Sequence, residues 1–350
     1  MNIVEAVILG AVEGLTEFLP VSSTGHLTIL EKLFGHSIDD PDITAFTAII
    51  QVGAVLATVI YLRRDLWRII TGWLRGVFRP AHRQDLDYRF GWAVILGSLP
   101  IGVIGLLFKD TIETTLRSLW FVGGALIVWS GAMWFADRAA TQQRGEADVT
   151  WKDTLIIGIA QCLALIPGVS RSGATMSAGL LRDLDRVTVT RLSFFLSIPA
   201  LLAAGALQTV DEYDNISTGV GWPATITATV VSFVVAYVAV AWLLKFIARH
   251  TYTIFIVYRL VLGTTVLLLV ATGVISSTCP ARAAPATPRS RPYAGGRDHG
   301  PPAPARPHGR QHRRHPRGLD VWSAPGRAWP RAGRRGRRPP RSGAAGRRGE

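Results

Sequence analysis

The sequence predicts an all-α polytopic membrane protein: six transmembrane helices plus two re-entrant helical hairpins in an inverted-topology repeat. Three observations carry that prediction. Several apolar stretches reach the roughly 20 residues that a helix needs to cross a bilayer. Two further apolar segments are broken at their centres by proline, glycine and serine. One pattern is written twice, 148 residues apart. Its first copy is Gly10-x-x-Glu13-x-Leu15-x-Glu17-x-x-x-Val21-Ser22-Ser23-Thr24-Gly25-His26, and its second is Gly158-x-x-Gln161-x-Leu163-x-x-x-x-x-Val169-Ser170-Arg171-Ser172-Gly173.

Taken in chain order, the first broken segment covers residues 4–33 and is interrupted at Leu19-Pro20-Val21-Ser22-Ser23. Each half is too short to span a bilayer, so a pair of short helices that enters and returns on one side is expected. Residues 43–62, 92–108 and 119–136 then read as full spans. The second broken segment, 154–181, is interrupted at Pro167-Gly168-Val169-Ser170, and spans at 189–208, 222–244 and 254–275 follow. Residues 1–276 form the membrane domain, its repeats covering about 1–140 and 150–276. The N-terminal run contains Glu5, Glu13 and Glu17 and has no basic leader, so it is not read as a signal peptide.

Loop charge orients the spans. Arg63, Arg64, Arg68, Arg75, Arg79, Arg83 and Arg89 crowd the stretch after the first span, and Lys245 and Arg249 mark another basic loop. Both are assigned to the cytoplasm. The loop at 209–221 holds Asp211, Glu212 and Asp214 without Lys or Arg, and is assigned outside. Three spans separate the two broken segments, so the first is expected to enter from outside and the second from the cytoplasm.

The formal charge of +14 invites a nucleic-acid reading that its distribution dismisses. The tail, residues 277–350, contains 18 Arg, no Lys and three acids, a net +15, which leaves −1 for the membrane domain. Rich in Arg, Pro, Gly and Ala and without apolar periodicity, the tail is expected to be disordered. Two origins stay open for it, a frame slip in a GC-rich gene and a genuine basic tail that touches anionic headgroups. Cys162 and Cys279 have no metal or redox spacing.

Polar groups inside the broken segments are costly in hydrocarbon and therefore point to function. Glu13 and Glu17, at i and i+4, share one helix face and call for a cation between or opposite them. Ser22, Ser23 and Thr24 crowd the first tip, Ser22 as the helix N-cap. His26, three residues after Ser23, is placed to activate a hydroxyl or protonate a leaving oxygen. At the second tip, Ser170, Ser172 and Thr175 surround Arg171, whose planar fork suits phosphoryl oxygens. Gln161 stands at the repeat position of Glu13 and is read as a hydrogen-bonding support for the acids. Gln51 and Pro199 are read as packing or kink residues, and Arg259 as an interface anchor. Together the two tips describe a phosphoanion site, and the apolar spans around them imply a substrate with a lipid tail.

The run Glu13-Gly14-Leu15-Thr16-Glu17-Phe18-Leu19-Pro20-Val21-Ser22-Ser23-Thr24-Gly25-His26, with Pro167-Gly168-Val169-Ser170-Arg171-Ser172-Gly173-Ala174-Thr175, resembles the undecaprenyl-diphosphatase family associated with bacitracin resistance. The resemblance covers about residues 1–276. It implies a multi-pass protein of the bacterial inner membrane whose site opens to the outer face. The implied reaction hydrolyses undecaprenyl diphosphate to undecaprenyl phosphate and inorganic phosphate, recycling the lipid carrier of cell-wall synthesis. A divalent cation, Mg²⁺ or Ca²⁺, is implied as cofactor, and membrane lipids and a second copy in a homodimer as partners. By motif position Glu13, Glu17, Ser23, His26 and Arg171 match the family's functional residues. Ser170, Ser172 and Thr175 match its phosphate loop.

On this reading Glu13 and Glu17 hold the cation, while Arg171, Thr24 and the second tip take the phosphoryl group. Ser23 as nucleophile, with Glu17 or His26 handling its proton, stands beside direct attack by water. Transport of polyprenyl phosphate is the rival function, since inverted repeats with broken helices also build transporters.

Overall fold

Asn2 starts the first helix: its side chain accepts from the Glu5 amide while the Glu5 carboxylate reaches back, a reciprocal capping box. In the computed structural model, which describes residues 1–36, 40–108, 118–211, 216–217 and 219–275, this helix is α1, Ile3–Thr16. The tail and residues 212–215 of the acidic loop lie outside the described residues.

Eleven α-helices and no strand are found among the described residues. After α1 come α2 (Ser23–Leu33), α3 (Pro41–Tyr61), α4 (Arg63–Phe78), α5 (Leu86–Leu107) and α6 (Leu119–Ala139). The second half holds α7 (Trp151–Gln161), α8 (Arg171–Leu180), α9 (Arg186–Asp211), α10 (Trp222–Ile247) and α11 (Thr253–Ala271). Six of them, α3, α5, α6, α9, α10 and α11, are long and apolar enough to cross a membrane, as expected. Their outward faces stay apolar: Val103 on α5, Val230, Val234 and Val238 on α10, and Val257 and Val261 on α11 are exposed. In water such a belt would be a liability, whereas hydrocarbon covers it at no cost.

The two broken segments each fold as helix, turn, helix: α1 with α2, and α7 with α8. Their local conformations repeat. Ser22 (φ 76) and Ser170 (φ 73) both adopt the left-handed region as N-caps. Each accepts the amide three residues on, Gly25 at 3.3 Å and Gly173 at 3.2 Å. A serine held there is strained unless its surroundings over-determine it. The glycine that opens each motif copy has a packing reason. A Cβ on Gly10 would stand 2.3 Å from the Ala228 carbonyl oxygen of α10, and one on Gly158 2.0 Å from that of Gly97 on α5. The absence of a side chain is what lets α1 lie on α10, and α7 on α5, backbone to backbone.

The arginine-rich stretch after the first span is largely helix rather than loop. Leu66, Ile69 and Trp73 give α4 an apolar face that packs on α5, with Gly91 of α5 lying against the Trp73 ring. Arg68 bonds to Asp87 (3.2 Å) and Glu146 (2.6 Å), and Arg191 to Asp65 (3.0 Å), tying α4, α5 and α9 at one end of the bundle. At the same end Asp153, fully buried, receives Arg144 (2.6 Å) and Arg182 (2.9 Å).

Candidate functional site

The turns between the paired helices meet in the bundle interior. Ser172 donates its hydroxyl to the Leu19 carbonyl at 2.8 Å, and Arg171 forms an ion pair with Glu17 across the two turns. Behind them Arg259 of α11, with no exposed surface, donates to Gly168 O (2.9 Å), Val169 O (3.1 Å) and Pro20 O (3.3 Å). It also reaches Ser130 Oγ on α6 at 3.3 Å. One guanidinium thus satisfies carbonyls of both tips, which irregular backbone at this depth needs.

Glu17 is the hub. One carboxylate oxygen takes Arg171, and the other accepts from Ser23 Oγ at 2.5 Å and Gln51 Nε2 at 3.2 Å. Hydrogen bonds to a carboxylate are among the stronger ones, so the Ser23 hydroxyl is fixed against Glu17. Glu13, one turn earlier and also buried, has no hydrogen-bond partner on either oxygen among the described residues. An orphaned buried carboxylate requires a counter-ion or a proton. The pair Glu13 and Glu17 offers hard oxygen donors, the kind a divalent cation takes. Among the described residues no group of three or more His, Cys, Asp or Glu could hold a metal, so water, phosphate or hydroxyl oxygens must complete any shell. In donor chemistry the residues fit such a cation.

His26 donates its Nδ1–H to the Ser22 carbonyl (2.7 Å), which leaves Nε2 to accept from the Tyr258 hydroxyl at 2.6 Å. Both ring nitrogens are therefore engaged away from Ser23. Thr175 Oγ1 bonds to the Arg171 carbonyl and to Ser193 (2.9 and 2.7 Å), and Ser170 pairs with Ser172 at 3.1 Å.

A cavity of about 550 Å³ opens onto this cluster. Glu17, Ser23, Thr24, Gln51, Ser170 and Arg171 form its polar floor, whereas Glu13, His26, Ser172 and Thr175 stand behind the lining. Its walls are apolar: Ile101 and Leu106 of α5, Leu165 before the second turn, and Leu201 and Leu207 of α9. Two helix pairs make the asymmetry visible. A Cβ on Gly53 of α3 would strike Thr229 O of α10 at 2.2 Å, while one on Gly102 of α5 meets nothing within 4 Å. The α3–α10 contact is closed, and the space between α5 and α9 is open at this level.

A family model described as bacitracin resistance protein BacA matches residues 6–265, which takes in both tips and the cavity. The chain belongs to the BacA family. It is 76% identical over 278 residues to undecaprenyl-diphosphatase 3 of Frankia casuarinae, covering 79% of this chain and all of that protein. An undecaprenyl-diphosphatase of Cutibacterium acnes is 53% identical over 284 residues, again covering 79% and 100%. One of Streptomyces coelicolor is 51% identical over 278 residues, covering 79% and 99%.

For this BacA-family chain three readings from sequence change. Arg259 is no interface anchor but a buried tie between the tips. Gln51 does more than pack, since it bonds to Glu17 and lines the cavity. Gln161 does not hydrogen-bond the acids, because its amide is buried without a partner among the described residues. Tyr258 was not singled out at all. A lone amide in an apolar span, and a Tyr-Arg pair within another, were the available signals. Neither says which tip it faces, because that depends on packing between distant segments.

Proposed function

We propose that the chain hydrolyses undecaprenyl diphosphate to undecaprenyl phosphate and inorganic phosphate in this cavity. The carrying observation is the contact of Ser23 with Glu17, paired with Arg171 from the other turn, at the floor of an otherwise apolar cavity. The names of the relatives agree with this reading. The open side between α5 and α9 suits a polyprenyl tail, which keeps its apolar surface in contact with side chains and lipid.

In the reading that the contacts favour, the diphosphate displaces Glu17 from Arg171, and the guanidinium grips the terminal phosphoryl oxygens bidentately. Ser23 Oγ attacks the terminal phosphorus while its proton passes to Glu17, already 2.5 Å away. The bond to the bridging oxygen breaks and undecaprenyl phosphate leaves. Glu17 gives that proton to the phosphate oxygen released on undecaprenyl phosphate. The regenerated carboxylate takes a proton from the water that cleaves the phosphoserine, and returns it to Ser23 Oγ as phosphate departs. His26, bonded at both nitrogens, orients the Ser22 cap instead of taking the Ser23 proton. Direct attack by water is the competing route. Glu13 and Glu17 would hold a divalent cation, which supplies neutralisation of the diphosphate charge.

Supporting an inverted repeat are the paired Ser22 and Ser170 caps and the matched placements of α1 on α10 and α7 on α5. At 14 and 11 residues, α1 and α7 are about 21 and 17 Å long, short of a roughly 30 Å core, which supports re-entrant hairpins. On α5 and α9 the lining runs to Leu106 and Gln208, near the helix ends opposite Arg89 and Arg191, which supports an outward-facing site in the bacterial inner membrane. Translocation alone would not need a hydroxyl bonded to a carboxylate, so hydrolysis is favoured over transport.

The test is phosphate release from undecaprenyl diphosphate by purified protein, with and without chelator, beside Glu17→Ala and Arg171→Ala. Metal-dependent release that falls at least about a hundredfold in both variants is expected. Lipid movement between leaflets without phosphate release would overturn the reading. Full activity in Ser23→Ala would transfer the attack to water.

A further inference from the structure

A second cavity, of about 630 Å³, lies at the other end of α5 from the candidate active site. Tyr88, Arg89, Trp92 and Leu96 of α5 line it together with Trp151 and Lys152 at the start of α7. Gly105, in the first cavity, is sixteen residues from Arg89, so the two openings are separated by about 24 Å along the helix.

The charges around this second cavity are unevenly used. Arg68, Arg144, Arg182 and Arg191 all pair with carboxylates, but Arg89 and Lys152 form no ion pair among the described residues. Lys152 instead lies 5.8 Å from the Trp151 ring centroid, and Trp92 is braced edge-on by Trp73 of α4. Depth orders the chemistry. Both cations stand near helix starts, while Leu96 lies seven residues beyond Arg89, about 10 Å further into the span. A soluble anion would use the cations and leave Trp92 and Leu96 without a role. A molecule with a charged head and an apolar chain uses both.

The neighbouring helix carries the same polarity. On α4, Trp67, Ile70, Leu74 and Phe78 form one stripe, and Trp67 and Phe78 are 70% and 78% exposed. Arg64 and Arg75 occupy the adjoining arc, and Arg68 between them is tied to Asp87 of α5 and to Glu146. A helix with an exposed aromatic stripe beside a basic arc, starting directly where a long apolar helix ends, suits the headgroup plane.

We infer that α4 lies in the interface of the leaflet opposite the active site, and that the cavity beside it binds the headgroup of an anionic glycerophospholipid. Arg89 and Lys152 neutralise the phosphate, Tyr88 and Trp151 rim it, and an acyl chain runs along Trp92 and Leu96. The lipid thereby clamps α5 to α7. Both helices lead to the walls of the candidate active site, so the site's stability depends on the composition of the far leaflet. This inference is independent of the hydrolase reading, because it concerns other residues and needs no turnover.

The experiment titrates the full-length protein in neutral detergent with phosphatidylglycerol or phosphatidylcholine, reading thermal unfolding and bound lipid by native mass spectrometry. Phosphatidylglycerol is expected to raise the unfolding temperature by several degrees and phosphatidylcholine to leave it unchanged. The double variant Arg89→Gln/Lys152→Gln should unfold like the parent without lipid, yet lose most of the phosphatidylglycerol increment and one tightly bound lipid. Lys245→Gln/Arg249→Gln, which removes cations at the end of α10, should keep both. Equal effects of the two lipids would overturn the inference, as would an unchanged increment in the Arg89/Lys152 variant or a loss of equal size in the Lys245/Arg249 control. So would an equal increment from soluble glycerol 3-phosphate.

Discussion

Arg259 illustrates how one residue can hold two buried turns together. Its guanidinium meets carbonyl oxygens rather than a carboxylate: Pro20 from one tip, Gly168 and Val169 from the other. Each of those carbonyls would otherwise be buried unpaired, at about 1–3 kcal/mol apiece. A lysine preserves the charge but not the fork, and cannot reach several acceptors along a plane. Arg259→Lys is therefore expected to lower phosphate release at least about tenfold and to make the tips more open to hydrogen exchange. A variant with parental activity and exchange protection would refute this role. At the same scale the sequence was legible for Glu17, Ser23 and Arg171, which reached the cavity floor. It was illegible for Gln51, Tyr258 and Arg259, whose partners are 34, 232 and 239 residues away.

Among the elements, close helix contacts account for the glycines that the repeated motif carries. Gly158→Ala would place a methyl 2.0 Å from the Gly97 carbonyl oxygen, and neither backbone can give way without moving its helix. Gly131 of α6 has open space around its Cα, so Gly131→Ala gains helix propensity of up to about 1 kcal/mol without a clash. Thermal unfolding in detergent should therefore separate the two: Gly158→Ala falls by several degrees, and Gly131→Ala holds or rises. Equal behaviour would mean that α7 and α5 are not held at backbone contact. The spans themselves were legible from length and hydropathy, with α5 starting earlier, at Leu86 instead of residue 92. Less legible was α4, because the abundance of arginine masked an apolar face that only packing on α5 reveals.

For the whole molecule, the charged end of the bundle sets how stability responds to acid. Burial opposes ionisation of Asp153, but hydrogen bonds from Arg144, Thr150 and Arg182 outweigh it and hold the carboxyl well below the ordinary carboxylate range. A folded-state value below the unfolded one makes a contribution that is full above about pH 4 and lost as the pH falls further. The parent should thus lose stability steeply below about pH 4, while Asp153→Asn starts less stable and shows a shallower acid limb. Parallel pH profiles would remove Asp153 from the account.

By itself the sequence determined that the chain is a helical membrane protein, that two broken segments hold a dense polar cluster, and that the charge excess belongs to the tail. These are local properties: hydropathy, turn residues and motif spacing act within a few turns of chain. Only the tertiary structure decided that Ser23 and Arg171 converge on opposite oxygens of Glu17, that His26 is occupied by Ser22 and Tyr258, and that the cavity opens between α5 and α9. Those outcomes depend on which helix faces meet. Lipid is as apolar as the helix surfaces, so the meeting is chosen by backbone contacts at small residues and by a few buried hydrogen bonds between segments far apart in the chain.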